Sequence, residues 1–214
     1  MLTVKSLTFG PFQENMFVLY GASKECVLID PGCYNSSEQQ ILKNFIEKEG
    51  LKPILLLNTH CHVDHVAGNR FVHDTWGLLP IIHKADLIVL ENQQRVCDTY
   101  GLDCDPSPIP EKFIEDGDIV SFGGSTLKVL YTPGHAPGHV VFYSEENKFV
   151  INGDVLFNGS IGRTDLPLCN YDDLEHSIRT KLYTLPNDTV VYCGHGPATT
   201  IGHEKKNNPF INER

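Results

Sequence analysis

The sequence has no apolar run approaching the roughly 18 residues that a membrane-spanning helix requires, so none is expected. The first residues, MLTVKSLTFGPF, lack a charged start followed by an apolar stretch, and no signal peptide is predicted. Basic residues are in deficit: 17 Lys and Arg face 27 Asp and Glu, a formal net charge of −10. A phosphate backbone would be repelled by that average, which argues against nucleic acid as a partner. Low-complexity segments, a fixed-period repeat and the signature of a Ser or Cys nucleophile triad are all missing. Cysteines number seven, an odd count at irregular spacing, and a chain of this size does not need disulfide staples. Reduced thiols in a cytoplasmic compartment are therefore expected, with a Cys97–Cys104 pair as the alternative.

What is present is an ordinary globular composition, 41% hydrophobic and 21% charged over 214 residues, enough for a sizeable core. One domain over residues 1–214 is expected. Short β-branched segments bounded by Gly, Pro, Asn or Asp predict strands at Thr3–Phe9, Met16–Tyr20, Cys26–Ile29, Ile54–Leu57, Thr126–Tyr131, Val140–Tyr143, Phe149–Ile151 and Thr189–Tyr192. Helical spacing appears in Ser36–Glu49, more weakly in Ala85–Glu91, and in Tyr171–Leu182, where Leu174, Ile178 and Leu182 recur at intervals of four. The order predicts a mixed α/β fold with sheets covered by helices. The segment Cys97–Pro110 reads as a surface loop.

Chemistry concentrates just past four of those strands. His60-Cys61-His62-Val63-Asp64-His65 follows Ile54–Leu57, His135-Ala136-Pro137-Gly138-His139 follows Thr126–Tyr131, Gly153-Asp154 follows Phe149–Ile151, and Gly194-His195-Gly196 follows Thr189–Tyr192. Neutral imidazoles suit Zn²⁺ and Fe²⁺, and carboxylates supply the compensating charge. The alternative is a set of histidines solvated on loops. Four strand ends of one chemical type, the last three with glycine beside the ionisable residue, favour convergence on one edge of a sheet.

In order and spacing, HxHxDH, GHxxGH, GD and GHG resemble the metallo-β-lactamase superfamily over essentially the whole chain. Gly159-Ser160-Ile161-Gly162-Arg163-Thr164-Asp165 and Gly194-His195-Gly196-Pro197-Ala198-Thr199-Thr200 are similar to the small type II glyoxalase-like hydrolases. The resemblance implies a four-layer αββα sandwich. It implies two divalent metal ions, zinc above all with iron or manganese as alternatives. The first would be held by His60, His62 and His135, the second by Asp64, His65 and His195, with Asp154 bridging. It further implies thioester hydrolysis, of an S-2-hydroxyacylglutathione or related acyl-thiol, by a metal-bridging hydroxide oriented by Asp64. The same resemblance places Arg163 where a cation meets a substrate carboxylate, a role that competes with a structural salt bridge to Asp165. The added C-terminal helical domain of larger type II glyoxalases has no counterpart here, which loosens the expectation of glutathione as the thiol.

Three other functions compete. The chain also resembles persulfide dioxygenases, in which a single iron would sit on His60, His135 and Asp154. A lactonase would share the attack chemistry, and a metal-stabilised binding module would need no turnover. Among the remaining candidates, Cys61 is expected to point away from the metals, and His139 to support a ligand rather than be one. Cys193 reads as a core residue, His73, His83, His176 and His203 as ordinary histidines, and Asn15 as architectural.

Overall fold

The computed structural model describes residues 1–212. One six-stranded sheet runs in the order β1 (Thr3–Phe9), β2 (Glu14–Tyr20), β3 (Glu25–Ile29), β4 (Lys52–Leu57), β5 (Pro80–His83) and β6 (Lys112–Ile114). A second contains β7 (Ile119–Phe122), β8 (Ser125–Tyr131), β9 (Val140–Ser144) and β10 (Phe149–Gly153). A short ribbon of β11 (Leu156–Phe157) and β12 (Ser160–Ile161) follows, and β13 (Val190–Cys193) and β14 (Thr199–Thr200) return to the second sheet, whose order is β14-β13-β10-β9-β8-β7.

Alternation along the strands builds the layers. In β2, Phe17 and Leu19 face the second sheet and meet Leu127, Val129, Phe142 and Ile151 in the central core. Met16 and Val18 face the other way, onto Leu42 and Ile46 of α1 (Ser36–Glu49) and Val72 of a later helix. The second sheet repeats the arrangement. Val141, Tyr143, Val150 and Val191 face outward onto Leu174, Ile178, Leu182 and Ile201. Helix, sheet, sheet and helix are therefore the four layers expected from the resemblance, and the central strands β2, β3, β9 and β10, covered on both faces, read as largely apolar runs.

Helix α1 is capped by Asn35, not by the serines that follow it. The Asn35 side chain accepts from the N–H groups of Ser37 (3.0 Å) and Glu38 (3.1 Å), and Gly50 ends the helix in a left-handed conformation. Four further helices follow β4: α2 (Val63–Val66), α3 (Asn69–Trp76), α4 (Leu87–Glu91) and α5 (Gln93–Tyr100). The predicted Tyr171–Leu182 helix divides into α6 (Tyr171–Ser177) and a wider π-turn over Ile178–Leu182, closed by the Tyr183 N–H on the Ile178 carbonyl (2.8 Å). A last helix, α7, covers Ile201–Asn207. Among the described residues no helix is long and apolar enough to cross a membrane.

The Cys97–Pro110 segment departs from its reading as a surface loop. Its start lies in α5, and Cys104, Ser107, Pro108 and Pro110 are buried. Cys97 and Cys104 are bridged, so the expectation of reduced thiols throughout is corrected here. Tertiary contacts bring them together. The Tyr34 hydroxyl accepts from the Asp103 N–H (2.7 Å), Gln93 Oε1 from the Ser107 N–H (2.7 Å), and both cysteines pack on Val63.

Candidate metal centre

Strand direction gathers the site. Strands β3 and β4 are parallel in one sheet, β10 and β13 in the other, and β8 runs with β10 because both are antiparallel to β9. Their C-terminal ends meet at one edge of the sandwich, where the Val140 N–H donates to the Thr59 carbonyl across the two sheets (2.8 Å). All seven residues singled out in the sequence lie there. His60, His62 and His135 offer nitrogens within 4.8 Å of one another, as do the ligand atoms of Asp64, His65 and His195. Asp154 stands between the two groups. Its Oδ1 lies 3.5 Å from His65 Nε2, and its Oδ2 lies 3.5 Å from His135 Nε2 and 3.4 Å from His195 Nε2.

The unmatched atoms test whether this arrangement fits cations. His60 Nε2, His65 Nε2 and Asp154 Oδ1 are buried without a hydrogen-bond partner. An unpartnered buried polar atom costs about 1–3 kcal/mol, and here three of them sit in one cluster of imidazole and carboxylate donors. A pair of divalent cations satisfies them all, and the mixed nitrogen and oxygen set suits such ions.

The electrostatics divide the cluster in two. Burial, reinforced by the neighbouring rings, lowers His60 well below the ordinary imidazole value, brings His62 down to about 3, and lowers His135. Burial also opposes charge on His65 and His195, but the carboxylates outweigh it. Asp154 and Asp64 raise His65 well above its usual value, and hydrogen bonds to the same pair raise His195 to about 10. Burial alone would raise Asp64 and Asp154. His65 and His195 instead hold Asp64 below the usual carboxylate range and Asp154 well below it.

A ring of backbone and side-chain partners aims the ligands. His135 Nδ1 faces the Arg163 carbonyl (2.9 Å), His195 Nδ1 the Phe12 carbonyl (3.1 Å), and His60 Nδ1 the Thr59 hydroxyl (3.0 Å). His139 supports rather than ligates. Its Nε2 accepts from the Asp154 N–H (3.1 Å), its Nδ1 faces Thr132 Oγ1 (3.2 Å), and its ring stacks on His60 at 4.8 Å. Asn15 ties the GHG loop to β2 by donating to the carbonyls of Cys193 (3.1 Å) and Gly196 (2.9 Å). Gly194 has no room for a side chain, because a Cβ there would collide with the Asp154 carboxylate and the His65 ring. Cys61 is buried among Val66, Ile82 and Leu90, and Cys193 lies in the outer core of the second sheet. Arg163, 55% exposed, makes a two-pronged ion pair with Asp165 (2.7 and 2.8 Å).

Three buried acids went unnoticed in the sequence. Asp30 accepts from the Thr59 N–H (2.7 Å) and hydroxyl (2.6 Å) and faces His65 Nδ1 (3.1 Å). Asp30-Pro31-Gly32 follows β3 as Asp154 follows β10, so the same rule of an acid beside glycine past a strand would have found it. Glu14 lies behind His65 (3.9 Å), and burial raises its carboxyl well above the usual range. Asp86, in a 3₁₀ turn over Lys84–Asp86, reads in sequence as an ordinary acid at a helix start.

Comparison with known proteins gives the same picture. The family model for the metallo-β-lactamase superfamily matches residues 9–195. A hydroxyacylglutathione hydrolase, GloC, of Haemophilus influenzae is 36% identical over 219 residues, covering 100% of both chains. The crystal structure of the BLEG-1 B3 metallo-β-lactamase superimposes with a TM-score of 0.91 at 35% identity, over 99% of this chain and 100% of that one. The structure of TTHA1623 in a di-iron-bound form gives 0.87 at 38% identity, over 97% and 100%.

Proposed function

From the premise that this chain belongs to the metallo-β-lactamase superfamily and is one of its metallo-hydrolases, we propose that it cleaves a thioester, an S-2-hydroxyacylglutathione or a related acyl-thiol, at a pair of zinc ions. The observation that carries the reading is Asp154, whose two oxygens reach histidines of both ligand groups. Two cations side by side need an anion between them, and Asp154 is ionised and central. The Haemophilus relative, named as a hydroxyacylglutathione hydrolase and matched end to end, supports the substrate class.

His60, His62 and His135 hold the first cation, Asp64, His65 and His195 the second, and Asp154 both. Bound there, the ions supply a water acidified toward neutrality and a Lewis acid for the acyl oxygen. Asp64, half-buried and 3.2 Å from His195 Nε2, would orient that water. In the hydrolysis, the oxygen of that water, one proton already lost to solvent, would bond to the acyl carbon; the carbon–sulfur bond would break with its electron pair on sulfur, giving a thiolate that needs no general acid, and the acid product would release its remaining proton to solvent as a carboxylate. Arg163 receives a carboxylate of the thiol moiety, exchanging its present partner Asp165 for substrate. Its backbone carbonyl meanwhile holds His135, so the recognition loop and the first cation's ligand are one unit.

The test is turnover by zinc-loaded protein across S-D-lactoylglutathione, other acyl-thiols, lactones and glutathione persulfide. Thioester cleavage that falls at least about 100-fold in Asp154→Asn, which removes transition-state charge stabilisation, is the expected result. Negligible thioester turnover beside fast cleavage of a lactone overturns the substrate assignment. Oxygen uptake on persulfide with one iron per chain overturns the hydrolase assignment.

A further inference from the structure

We propose that Asp86 is a positioning residue that sets the affinity of the first metal position and leaves the second unaffected. The inference rests on the metal assignment above. Asp86 is wholly buried at the end of the 3₁₀ turn after β5. One carboxylate oxygen accepts from the Cys61 N–H (2.5 Å) and the other from the Gly138 N–H (2.7 Å). Cys61 lies between His60 and His62, and Gly138 lies between His135 and His139. A single side chain therefore binds the backbones of the two loops that carry His60, His62 and His135, the three histidines of the first position.

Gly138 makes the approach feasible. A Cβ at that position would meet the Asp86 backbone nitrogen and its Cβ, so the loop closes on Asp86 only as glycine. The Cys61 side chain packs among Val66, Ile82 and Leu90, on the side of the segment away from the histidine cluster. The second position is held by other groups: His65 by Asp30 (3.1 Å) and His195 by the Phe12 carbonyl (3.1 Å). Neither of those contacts involves Asp86, and although Asp64 and His65 follow Cys61 on the same segment, the His65 carbonyl is anchored separately by the Asn58 side-chain amide, which donates to it (3.0 Å).

Asp86→Asn keeps the shape but turns an NH₂ group toward a backbone N–H, so one loop loses its acceptor. Supporting groups of this kind are worth roughly 10- to 100-fold in metal affinity. Zinc binding is measured by chelator competition in two backgrounds. In His195→Ala, where the first position remains, Asp86→Asn weakens zinc roughly 10- to 100-fold. In His62→Ala, where the second remains, it changes affinity by less than about threefold, the scatter of uncoupled sites. Gly138→Ala, which displaces Asp86 without altering its charge, follows the same pattern and serves if the Asn variant does not fold. Equal losses in both backgrounds, or none in either, overturn the inference. Wild-type protein that holds fewer than two zinc ions overturns the metal assignment instead.

Discussion

Zinc loading of the metal-free protein at pH 7 displaces about two protons from side chains, both at the second position, besides the one shed by the metal-bound water. The asymmetry follows from the two environments. His195, raised to about 10 against the pull of burial, and His65, raised well above its ordinary value, each carry a proton at neutral pH that must leave before the nitrogen can bind. His60, His62 and His135 are lowered by burial, His62 to about 3, and stand neutral. Asp64 and Asp154 are already ionised. Affinity at the second position therefore climbs about 100-fold per pH unit above pH 7, one factor of ten for each displaced proton. The climb persists toward pH 10, where His195 titrates, while the first position stays nearly flat. Titration calorimetry in buffers of different ionisation enthalpy counts the protons, and His195→Ala and His62→Ala separate the positions. Equal proton release from both positions, or an affinity at the second that ignores pH between 7 and 9, refutes the reasoning.

The same shifts set the stability of the metal-free protein. His195, raised, contributes stability that is full below about pH 6.5 and lost as pH rises through about 10. His62, depressed, contributes stability that is full above about pH 6.5 and lost as pH falls toward about 3. Thermal melts of the metal-free form peak between these flanks, and stability that rises from pH 7 to 10 contradicts the assignment. Reducing the Cys97–Cys104 bridge, which closes a loop of sequence separation 7, costs about 2.5 kcal/mol on the loop-entropy model, read as a shift in denaturant midpoint between oxidised protein and Cys104→Ser. Arg163→Ala raises KM for thioesters bearing a carboxylate on the thiol by about tenfold with kcat nearly unchanged, as loss of uniform binding requires. Equal KM values for substrates with and without that carboxylate contradict the role.

The parts of this molecule that could be read from sequence are those governed by local pattern. All eight predicted strands are present to within a few residues, because strands buried on both faces leave unbroken apolar runs punctuated by turn residues. The gathering of the seven His and Asp residues was legible because each follows such a run. Strands β5, β6 and β7 escaped. They are three or four residues long with weak alternation, and pairing with neighbours supplies what their own sequence does not. Helices α2, α3 and α5 escaped for the same reason, being short and specified by packing. Spacing offers the Cys97–Cys104 bridge only as an alternative, because the contacts that favour it, with Tyr34 and Val63, come from more than thirty residues upstream. Asp86 is the sharpest case. Its function is visible only once Cys61 and Gly138 are brought to its two oxygens by the meeting of two sheets.

A pair of cations held by seven side chains at one sheet edge would be seen in diffraction from crystals of zinc-loaded protein, collected at the zinc absorption edge. Two anomalous peaks are expected, one among His60, His62 and His135 and one among Asp64, His65 and His195, with the Asp154 carboxylate touching both. A single peak, or none with those rings still apart, contradicts that pairing.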